Sequence, residues 1–315
     1  MINPFHRATY LTGPTAVGKT AVSVGLAKRL NAEIIALDSM TLYCGMDIGT
    51  AKPSIEEREG VPHHVIDVVD PWESASVAEY RAWAGHAIEQ IEARGHRVLF
   101  VGGTALYLKT LLRGLFEGPA ADPEIRARLE NEANMFGDAT IHDRLASIDP
   151  QTAQRLHPND RRRVIRALEV HAITGRPLSE HQVEHAQHAP ASVGVFAIDR
   201  PRPDLHLRIN QRVQQMFAGG LVDEVKRLAE SPQPLHDTPA QAVGYRECLE
   251  HLAGRLGRDE AIEQTQARTR QFAKRQSTWF RGLAEVKSVP IAGGESVDSV
   301  VARLETLIAN GQRGG

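Results

Sequence analysis

The sequence predicts an α/β fold in which a parallel sheet forms the core and a helical domain is inserted into it. Apolar, strand-like segments alternate with amphipathic helical segments early in the chain, which is typical of a parallel sheet covered on both faces. A loop of phosphate-binding type lies between the first strand and the first helix. The stretch 118–192 is polar and helical in pattern, with no convincing strand. We therefore predict a core domain from residues 1–117 and 193–315 and a helical insertion domain from residues 118–192.

The predicted elements follow the apolar periodicity along the chain. Helices are expected at Thr20–Leu30 and Val77–Arg94, where apolar side chains recur at helical spacing. In the insertion, Asp122 and Asp160 are predicted helix N-caps. The tail from Pro203 onward is predicted to be helical, with breaks at its glycine and proline clusters. Strands are expected at Ala8–Gly13, Ala32–Ser39, His63–Asp70, Arg97–Gly103 and Val193–Asp199.

The composition limits the function only loosely. The 315 residues carry a net charge of −2, with a pI near 6.7, so the chain lacks the strongly basic balance that marks many nucleic-acid-binding domains. An RNA partner would therefore need local basic patches. The two cysteines, Cys44 and Cys248, offer neither a disulfide framework nor a metal cluster and fit a reducing cytoplasm. No apolar run is long enough for a signal peptide or a membrane span, and we expect a cytoplasmic protein without a membrane partner.

Residues 13–20 read GPTAVGKT and match the phosphate-loop pattern G-x-x-x-x-G-K-[ST]. Backbone amides from about Ala16 to Thr20 and the helix N-terminus would face an anion, Lys19 would neutralise its outer oxygens, and the Thr20 hydroxyl suits Mg²⁺. The strand–loop–helix context makes the core P-loop NTPase-like, but it does not distinguish ATP from another diphosphate. The predicted phosphate-binding residues are Gly13, Pro14, Thr15, Ala16, Val17, Gly18, Lys19 and Thr20.

Two further strand ends are expected beside this loop, because the carboxyl ends of parallel strands line the ligand crevice. Asp38 ends the second predicted strand; it can act as a general base or, equally well, cap a helix or bind Mg²⁺ through water. Gly102-Gly103-Thr104 follows another strand, where a nucleotide hydrolase usually carries an acidic residue. The glycine pair allows close backbone approach to a ligand or forms only a tight turn.

Basic residues cluster in two places. Arg161, Arg162, Arg163 and Arg166 share one short predicted helix, on which residues four apart lie on one face. A second stripe, at 266–281, carries five basic and no acidic residues, with Phe272, Trp279 and Phe280 between them. Such stripes can follow an RNA backbone, with aromatic rings stacking on bases. The alternative, which charge runs favour, is a solvated helix face with the aromatic side chains in the core.

Taken together, these motifs resemble one family, the bacterial tRNA dimethylallyltransferases, also called tRNA isopentenyltransferases. The resemblance runs in order across nearly the whole chain, and GMDIGTAKP with GGTALY is far more specific than the phosphate loop. Two positions depart from the family pattern: Thr41 stands where many members have Gln, and Cys44 where many have a basic residue. The matching segments are GPTAVGKT (13–20), LDS (37–39), GMDIGTAKP (45–53), VGGTALYLKTLLRGL (101–115), ADPEIRARLE (121–130), HPNDRRRVIRALEV (157–170), VGYRE (243–247) and ARTRQFAKRQSTWFR (267–281).

The resemblance implies a function. The family transfers a dimethylallyl group from dimethylallyl diphosphate, with Mg²⁺, to N6 of the adenosine 3′-adjacent to the anticodon (position 37) in tRNAs that read codons beginning with U. The phosphate loop then holds the donor's diphosphate, aided by Lys52, while Asp38 is the general base and Thr104 contacts the target nucleotide. We expect the protein to act as a monomer. The tRNA-contacting positions implied are Asp38, Ser39, Met40, Thr41, Thr104, Arg126, Arg162, Arg163, Val164, Ile165, Arg166, Val243, Gly244, Tyr245, Arg246, Glu247 and Cys248. The alternative function is a small-molecule phosphotransferase.

Overall fold

The structure is a computed structural model that describes residues 3–114, 118–183, 190 and 193–313. Contacts divide the chain into two compact units. One unit, here the core unit, comprises Met1–Leu112 and Ala189–Gly315, and the other, here the insertion, comprises Arg113–His188.

The described residues form strands and α-helices, each numbered in chain order. The strands are β1 (Thr9–Thr12), β2 (Ala32–Ala36), β3 (His63–His64), β4 (Arg97–Gly102), β5 (Gly194–Asp199) and β6 (Val286–Pro290). The α-helices are α1 (Lys19–Leu30), α2 (Ile55–Arg58), α3 (Val77–Ala93), α4 (Ala105–Arg113), α5 (Pro123–Phe136), α6 (Asp138–Ile148), α7 (Pro150–Arg155), α8 (Arg161–Thr174), α9 (Leu178–Val183), α10 (Arg202–Ala218), α11 (Leu221–Ala229), α12 (Asp237–Ala240), α13 (Tyr245–Leu252), α14 (Arg258–Arg281) and α15 (Val297–Arg313).

The described strands make one parallel sheet in the order β3-β2-β4-β1-β5-β6, which confirms the predicted fold class. The central strand β1 pairs with β4 on one side and β5 on the other, so Thr12 lies opposite Gly102 and Ala197. Because the strands run in one direction, the segments that follow β1, β2, β4 and β5 meet at the same edge of the sheet. The phosphate loop, Asp38 and Thr104 lie on these segments.

Helices α1, α3 and α15 pack against the strands of this sheet. Every residue of β1 and β2 is buried, as expected for a parallel sheet between helical layers. The rings of Tyr10 on β1 and Phe100 on β4 stack with centroids 4.8 Å apart. Of the helices in the described part of the chain, none is long and apolar enough to cross a membrane.

The insertion has its own apolar core, which helices α5, α6 and α8 share. Leu129, Ile141, Leu145, Val164 and Leu168 pack together there. The predicted cap at the start of α5 is confirmed, since the Asp122 carboxylate accepts hydrogen bonds from two backbone amides of the first turn, at 2.9 and 3.0 Å.

Some predicted elements differ from the structure. Asp160 precedes α8 but makes no capping hydrogen bond; its carboxylate instead pairs with Arg163 at 3.1 Å. The strand predicted at 63–70 is reduced to the two residues of β3, because Val65 and Asp67 take positive φ angles of 58° and 56°, which an extended strand does not allow.

The C-terminal tail contains a strand that the helical prediction missed. Strand β6 pairs with β5 from Val286 to Pro290. It lies at the end of the strand order, and only Val289 of its five residues is buried. An edge strand with this little burial lacks the apolar run on which strand prediction depends.

Candidate active site

The phosphate loop requires glycine at two positions. Gly13 has a φ of 141°, and a Cβ atom there would lie 2.4 Å from the carbonyl oxygen of Ile198 on β5. Gly18, the N-cap of α1, is left-handed with a φ of 107°. The Lys19 Nζ donates to the carbonyl oxygens of Gly13 and Pro14, both at 2.9 Å. The ammonium group is therefore held against the turn of the loop itself.

Burial and charge both act on Lys19. Removal from water lowers its pKa to about 8, while the negative charge of Asp38 opposes this effect and the positive charge of Arg212 adds to it. An anion bound beside Lys19 would favour the charged form of its side chain.

Asp38 lies beyond the carboxyl end of β2 and beside the phosphate loop. Its Oδ1 accepts a hydrogen bond from the Met40 amide at 2.9 Å. Burial raises the pKa of Asp38, although the Met40 amide and the charge of Lys19 lower it. A carboxylate with a raised pKa is a better proton acceptor than an exposed one.

Thr104 is joined to the same segment through Ser39. The Thr104 hydroxyl oxygen accepts a hydrogen bond from the Ser39 amide at 3.0 Å. A Cβ atom at Gly102 would lie 2.1 Å from the Leu37 carbonyl oxygen, so only glycine lets the two strand ends approach this closely. Gly102 is therefore required by close packing between β4 and the end of β2, and this packing brings Thr104 beside Asp38 and Ser39.

Three arginines that sequence reasoning missed lie around the phosphate loop. Arg200, directly after β5, donates through Nε to the Val17 carbonyl oxygen at 2.8 Å, and Arg208 on α10 donates to the Ala16 carbonyl oxygen at 2.9 Å. Burial lowers the pKa of Arg212, one turn further along α10, and the charge of Arg208 lowers it too. The spacing of Arg208 and Arg212, four apart after a strand, was the only signal in the sequence.

A cavity of about 440 Å³ lies beside the phosphate loop in the core unit. Its polar wall includes Lys19, Thr20, Asp38 and Arg212. The apolar wall is formed by Met40, Val213, Met216, Val243 and Phe272. A ligand with an anionic end and a short apolar end matches these two walls.

Thr41, one of the two positions that depart from the family pattern, also lines this cavity. Thr41 is 8% exposed. Its hydroxyl oxygen is buried and has no hydrogen-bond partner within the described part of the chain. A buried polar atom of this kind is costly unless a ligand or water satisfies it.

Helix α14 forms another part of the wall, through Arg268, Phe272, Arg275 and Gln276. Arg268 pairs with the buried Glu247, and the guanidinium carbon of Arg275 lies 5.9 Å from the centre of the Phe272 ring.

The predicted burial of the α14 aromatic side chains was wrong for two of the three. Phe272 and Trp279 are 37% and 42% exposed, whereas Phe280 is buried. Helical spacing alone does not say which face of a long amphipathic helix meets the core, and here the basic residues share their face with two rings.

The predicted tRNA contacts in the core unit differ in accessibility. Val243 lines the cavity and Arg246 is exposed. Tyr245, Glu247 and Cys248 are buried, and the Tyr245 hydroxyl donates to Glu224 at 2.6 Å. These three buried side chains hold the segment in place, and Tyr245 also lines the cavity.

The predicted contacts in the insertion divide in the same way. Arg162 and Arg163 are exposed, whereas Val164 and Ile165 are buried in the apolar core of the insertion, because helical spacing turns them inward. The side chains of Val164 and Ile165 are not available to RNA.

The expectation that Lys52 helps to bind the diphosphate was wrong. Its side chain is 4% exposed and pairs with Asp47 at 2.7 Å and Asp67 at 2.5 Å. Its Nζ also donates to the Tyr43 carbonyl oxygen at 2.9 Å. With these partners the ammonium group stabilises its own loop, and Lys19, Arg200 after β5 and the arginines of α10 provide the positive charge near the phosphate loop.

A parallel sheet with a phosphate loop after β1, a carboxylate after β2 at the same edge and a cavity lined by both defines a P-loop-like α/β enzyme. The family model described as IPP transferase matches residues 41–283. A tRNA dimethylallyltransferase from Geobacter sulfurreducens is 47% identical over 295 residues, which cover 93% of this chain and 95% of that protein. One from Bacillus licheniformis is 44% identical over 300 residues, covering 95% of each chain.

Solved structures agree with these relatives. The full-length tRNA isopentenylpyrophosphate transferase from Bacillus halodurans matches with a TM-score of 0.72 at 41% identity, over 98% of this chain and 97% of that one. A eukaryotic dimethylallyltransferase, captured in crystallographic snapshots acting on tRNA, matches with a TM-score of 0.80 at 30% identity, over 96% of this chain and 78% of that one. The chain therefore belongs to the tRNA dimethylallyltransferase family of prenyl-transferring enzymes, which confirms the resemblance seen in its motifs.

Proposed function

We propose that this protein transfers the dimethylallyl group of dimethylallyl diphosphate to N6 of adenosine 37 in tRNAs that read codons beginning with U. The observation that carries the proposal is the two-sided cavity, which has Lys19, Arg212 and Asp38 at its polar wall and has an apolar wall as well. We further propose that the enzyme acts as a monomer in the cytoplasm, where its tRNA substrates are found.

The donor's diphosphate is held by the phosphate loop, so this motif of nucleotide-binding type serves a prenyl donor rather than ATP. As the C–O bond of the donor breaks, negative charge grows on the leaving diphosphate. Lys19, the loop amides and the guanidinium groups of Arg208 and Arg212 stabilise that charge. The dimethylallyl group lies against the methionine and valine side chains of the apolar wall.

Asp38 accepts the proton that the acceptor nitrogen loses. The N6 lone pair of adenine is delocalised into the ring, so the amine becomes acidic only as its bond to C1 of the allyl group forms. The new N–C bond replaces the C–O bond, the electron pair of that bond leaves with the diphosphate, and the N–H proton passes to the Asp38 carboxylate. The raised pKa of Asp38 suits this transfer.

Mg²⁺ fits this site as a partner of the diphosphate. The Thr20 hydroxyl and the Asp38 carboxylate line the cavity, and both are hard oxygen groups of the kind that Mg²⁺ prefers. The described residues contain no cluster of three or more acidic, histidine or cysteine side chains that would hold a metal alone. An ion held by Thr20 and by oxygens of the diphosphate would neutralise charge on the leaving group.

The acceptor adenosine must leave the stack of the anticodon loop to reach Asp38, at a cost of a few kcal/mol. We propose that the exposed Arg162 of the insertion and Arg246 of the core unit contact the tRNA backbone. Ser39, Met40, Thr41, Thr104 and Val243 would contact the extruded nucleotide, with the free hydroxyl of Thr41 available as a hydrogen-bond partner.

Labelled substrates test the proposal. Incubation with tRNA and dimethylallyl diphosphate carrying ¹⁴C in the allyl group should place the label in tRNA, and nucleoside mass analysis should find dimethylallyladenosine. In the parallel reaction, the γ-phosphate of ³²P-ATP should not move to any metabolite. Transfer of the ³²P label with no ¹⁴C in tRNA would establish the phosphotransferase alternative instead.

A further inference from the structure

The side-chain amide of Gln276 forms hydrogen bonds to two loops of the active site. Its Oε1 accepts a hydrogen bond from the Thr15 amide of the phosphate loop at 2.8 Å, and its Nε2 donates to the Gly103 carbonyl oxygen at 2.8 Å. The residue is 5% exposed. Both polar ends of the amide are therefore used, in a place where an unsatisfied group would be costly.

The two loops have different partners in the reaction. Thr15 belongs to the loop that holds the donor's diphosphate, and Gly103 directly precedes Thr104, which is placed beside the acceptor. A Cβ atom at Gly103 would lie 2.3 Å from the Gln276 Nε2, so glycine is needed there to leave room for the amide. The second glycine of the GGT segment is thus explained by Gln276.

Helix α14 also extends to the mouth of the cavity. Arg268, Phe272 and Gln276 are four residues apart in sequence and all line the cavity, so they occupy one face of the helix. Whatever RNA contacts Arg268 or Phe272 would act on the same rigid element that holds both loops through Gln276.

We propose that Gln276 is a positioning residue that couples the two substrates, so that bound donor strengthens the binding of tRNA and bound tRNA strengthens the binding of donor. The inference rests on the proposed function. An amide that bridges both loops links the ordering of one to the ordering of the other. By thermodynamic linkage the enhancement factor is the same in both directions.

The experiment measures that factor with a donor that binds but does not react, dimethylallyl thiodiphosphate, in which sulfur replaces the bridging oxygen. The Kd for tRNA is determined with and without a saturating amount of this compound, and the Kd for the compound with and without tRNA. The wild-type factor is expected to be about tenfold in both directions. In Q276M, which keeps the length of the side chain and removes both hydrogen bonds, it should fall to within about twofold of unity.

Two further variants complete the test. Q264M lies on the same helix, where Gln264 is exposed and its side-chain amide bonds only to Glu260, at 3.3 Å, among the described contacts; it should keep the wild-type factor. Q276E keeps the acceptor for the Thr15 amide but loses the donor to Gly103, and its factor should also fall. If circular dichroism shows that Q276M is unfolded at the assay temperature, Q276E decides the question.

A wild-type factor that survives in folded Q276M, or in Q276E, would overturn the inference, as would a wild-type enzyme that transfers the prenyl group without any enhancement. A wild-type enzyme that transfers no prenyl group would refute the proposed function itself, so the two failures are distinguishable. Because the factor compares two Kd values of the same variant, a general loss of stability would not change it.

Discussion

Arg126 and Arg166 of the insertion and Arg208 and Arg212 near the cavity have opposite electrostatic settings. In the insertion, Arg126 and Arg166 both pair with the buried Glu169, at 2.8 and 2.6 Å. Around the cavity, Arg208 binds a backbone carbonyl oxygen, and neither it nor Arg212 has a carboxylate within ion-pair distance in the described part of the core unit.

In the insertion, hydrogen bonds from two arginines keep the Glu169 carboxyl group in its negatively charged form. Burial alone would raise the pKa of this carboxyl, but the guanidinium groups of Arg126 and Arg166 outweigh that effect and lower it. The arginines are in turn fixed in position and largely neutralised. Of the four arginines clustered in the sequence, Arg161, Arg163 and Arg166 are paired with acidic residues, and the charge available for a small anion lies around the cavity of the core unit.

The largest effect is expected from loss of the proton acceptor in the core unit, Asp38. D38N removes the acceptor and keeps the size of the side chain, so kcat should fall by about 10²–10⁴-fold. The Kd for tRNA should change by less than about twofold, because the charge that meets RNA lies elsewhere. Single-turnover transfer and filter binding measure the two quantities. D298N, which changes a carboxylate that is 93% exposed, is the matched control, and an undiminished kcat in D38N would exclude Asp38 as the base.

The next largest effect is expected from Arg212, which lines the cavity and has no ion pair among the described residues. R212Q should reduce kcat/KM for dimethylallyl diphosphate by about 10²-fold, as for loss of one group that stabilises charge in a transition state. The salt dependence of tRNA binding should stay as in the wild type. R227Q changes an exposed arginine of α11 and should leave both quantities unaltered. Should R212Q instead weaken tRNA binding and spare the donor, the contrast between the two groups of arginines would be lost.

The parts of the site that sequence reasoning predicted are those governed by local rules. The phosphate loop is contiguous and lies between a strand and a helix, so its geometry follows from residues 13–20 alone. Asp38 and Thr104 come together because parallel strands end at a common edge, a rule that needs only the order of strand and helix. These contacts depend on short segments and on fold class, both of which the pattern predicts.

The parts that were missed depend on which distant segments become neighbours. Arg200 reaches the phosphate loop across more than 180 residues of sequence because β5 lies beside β1. Gln276 reaches Gly103 from a helix near the other end of the chain. Lys52 was predicted wrongly for the same reason, since residue type does not reveal that Asp47 and Asp67 compete for its charge.

A pH titration of donor binding examines Lys19 itself. Its pKa of about 8 in the free site should rise when the diphosphate binds, because an adjacent anion favours the charged form. The donor should then bind with its highest affinity below pH 8. The affinity should fall as the pH rises through that value, by up to about tenfold per pH unit. K19M should bind the thiodiphosphate analogue weakly at every pH, with no such decline. Calorimetry between pH 6.5 and 9.5 gives the profile, and a flat wild-type curve would show that Lys19 stays charged throughout.

The smallest effect is expected from the exposed arginines of the insertion. R162Q removes a guanidinium group that lacks an ion pair among the described residues, so tRNA affinity should fall a few-fold and the slope of log Kd against log salt should decrease by about one. R161Q removes a group that is already paired with Asp138 at 2.5 Å, and it should leave the salt slope nearly unchanged. Neither variant should alter the KM for the donor. The slopes should differ because a charge that is already neutralised has few counterions to release. Equal salt slopes for the two variants would mean that pairing with an acidic neighbour does not decide which arginines meet RNA.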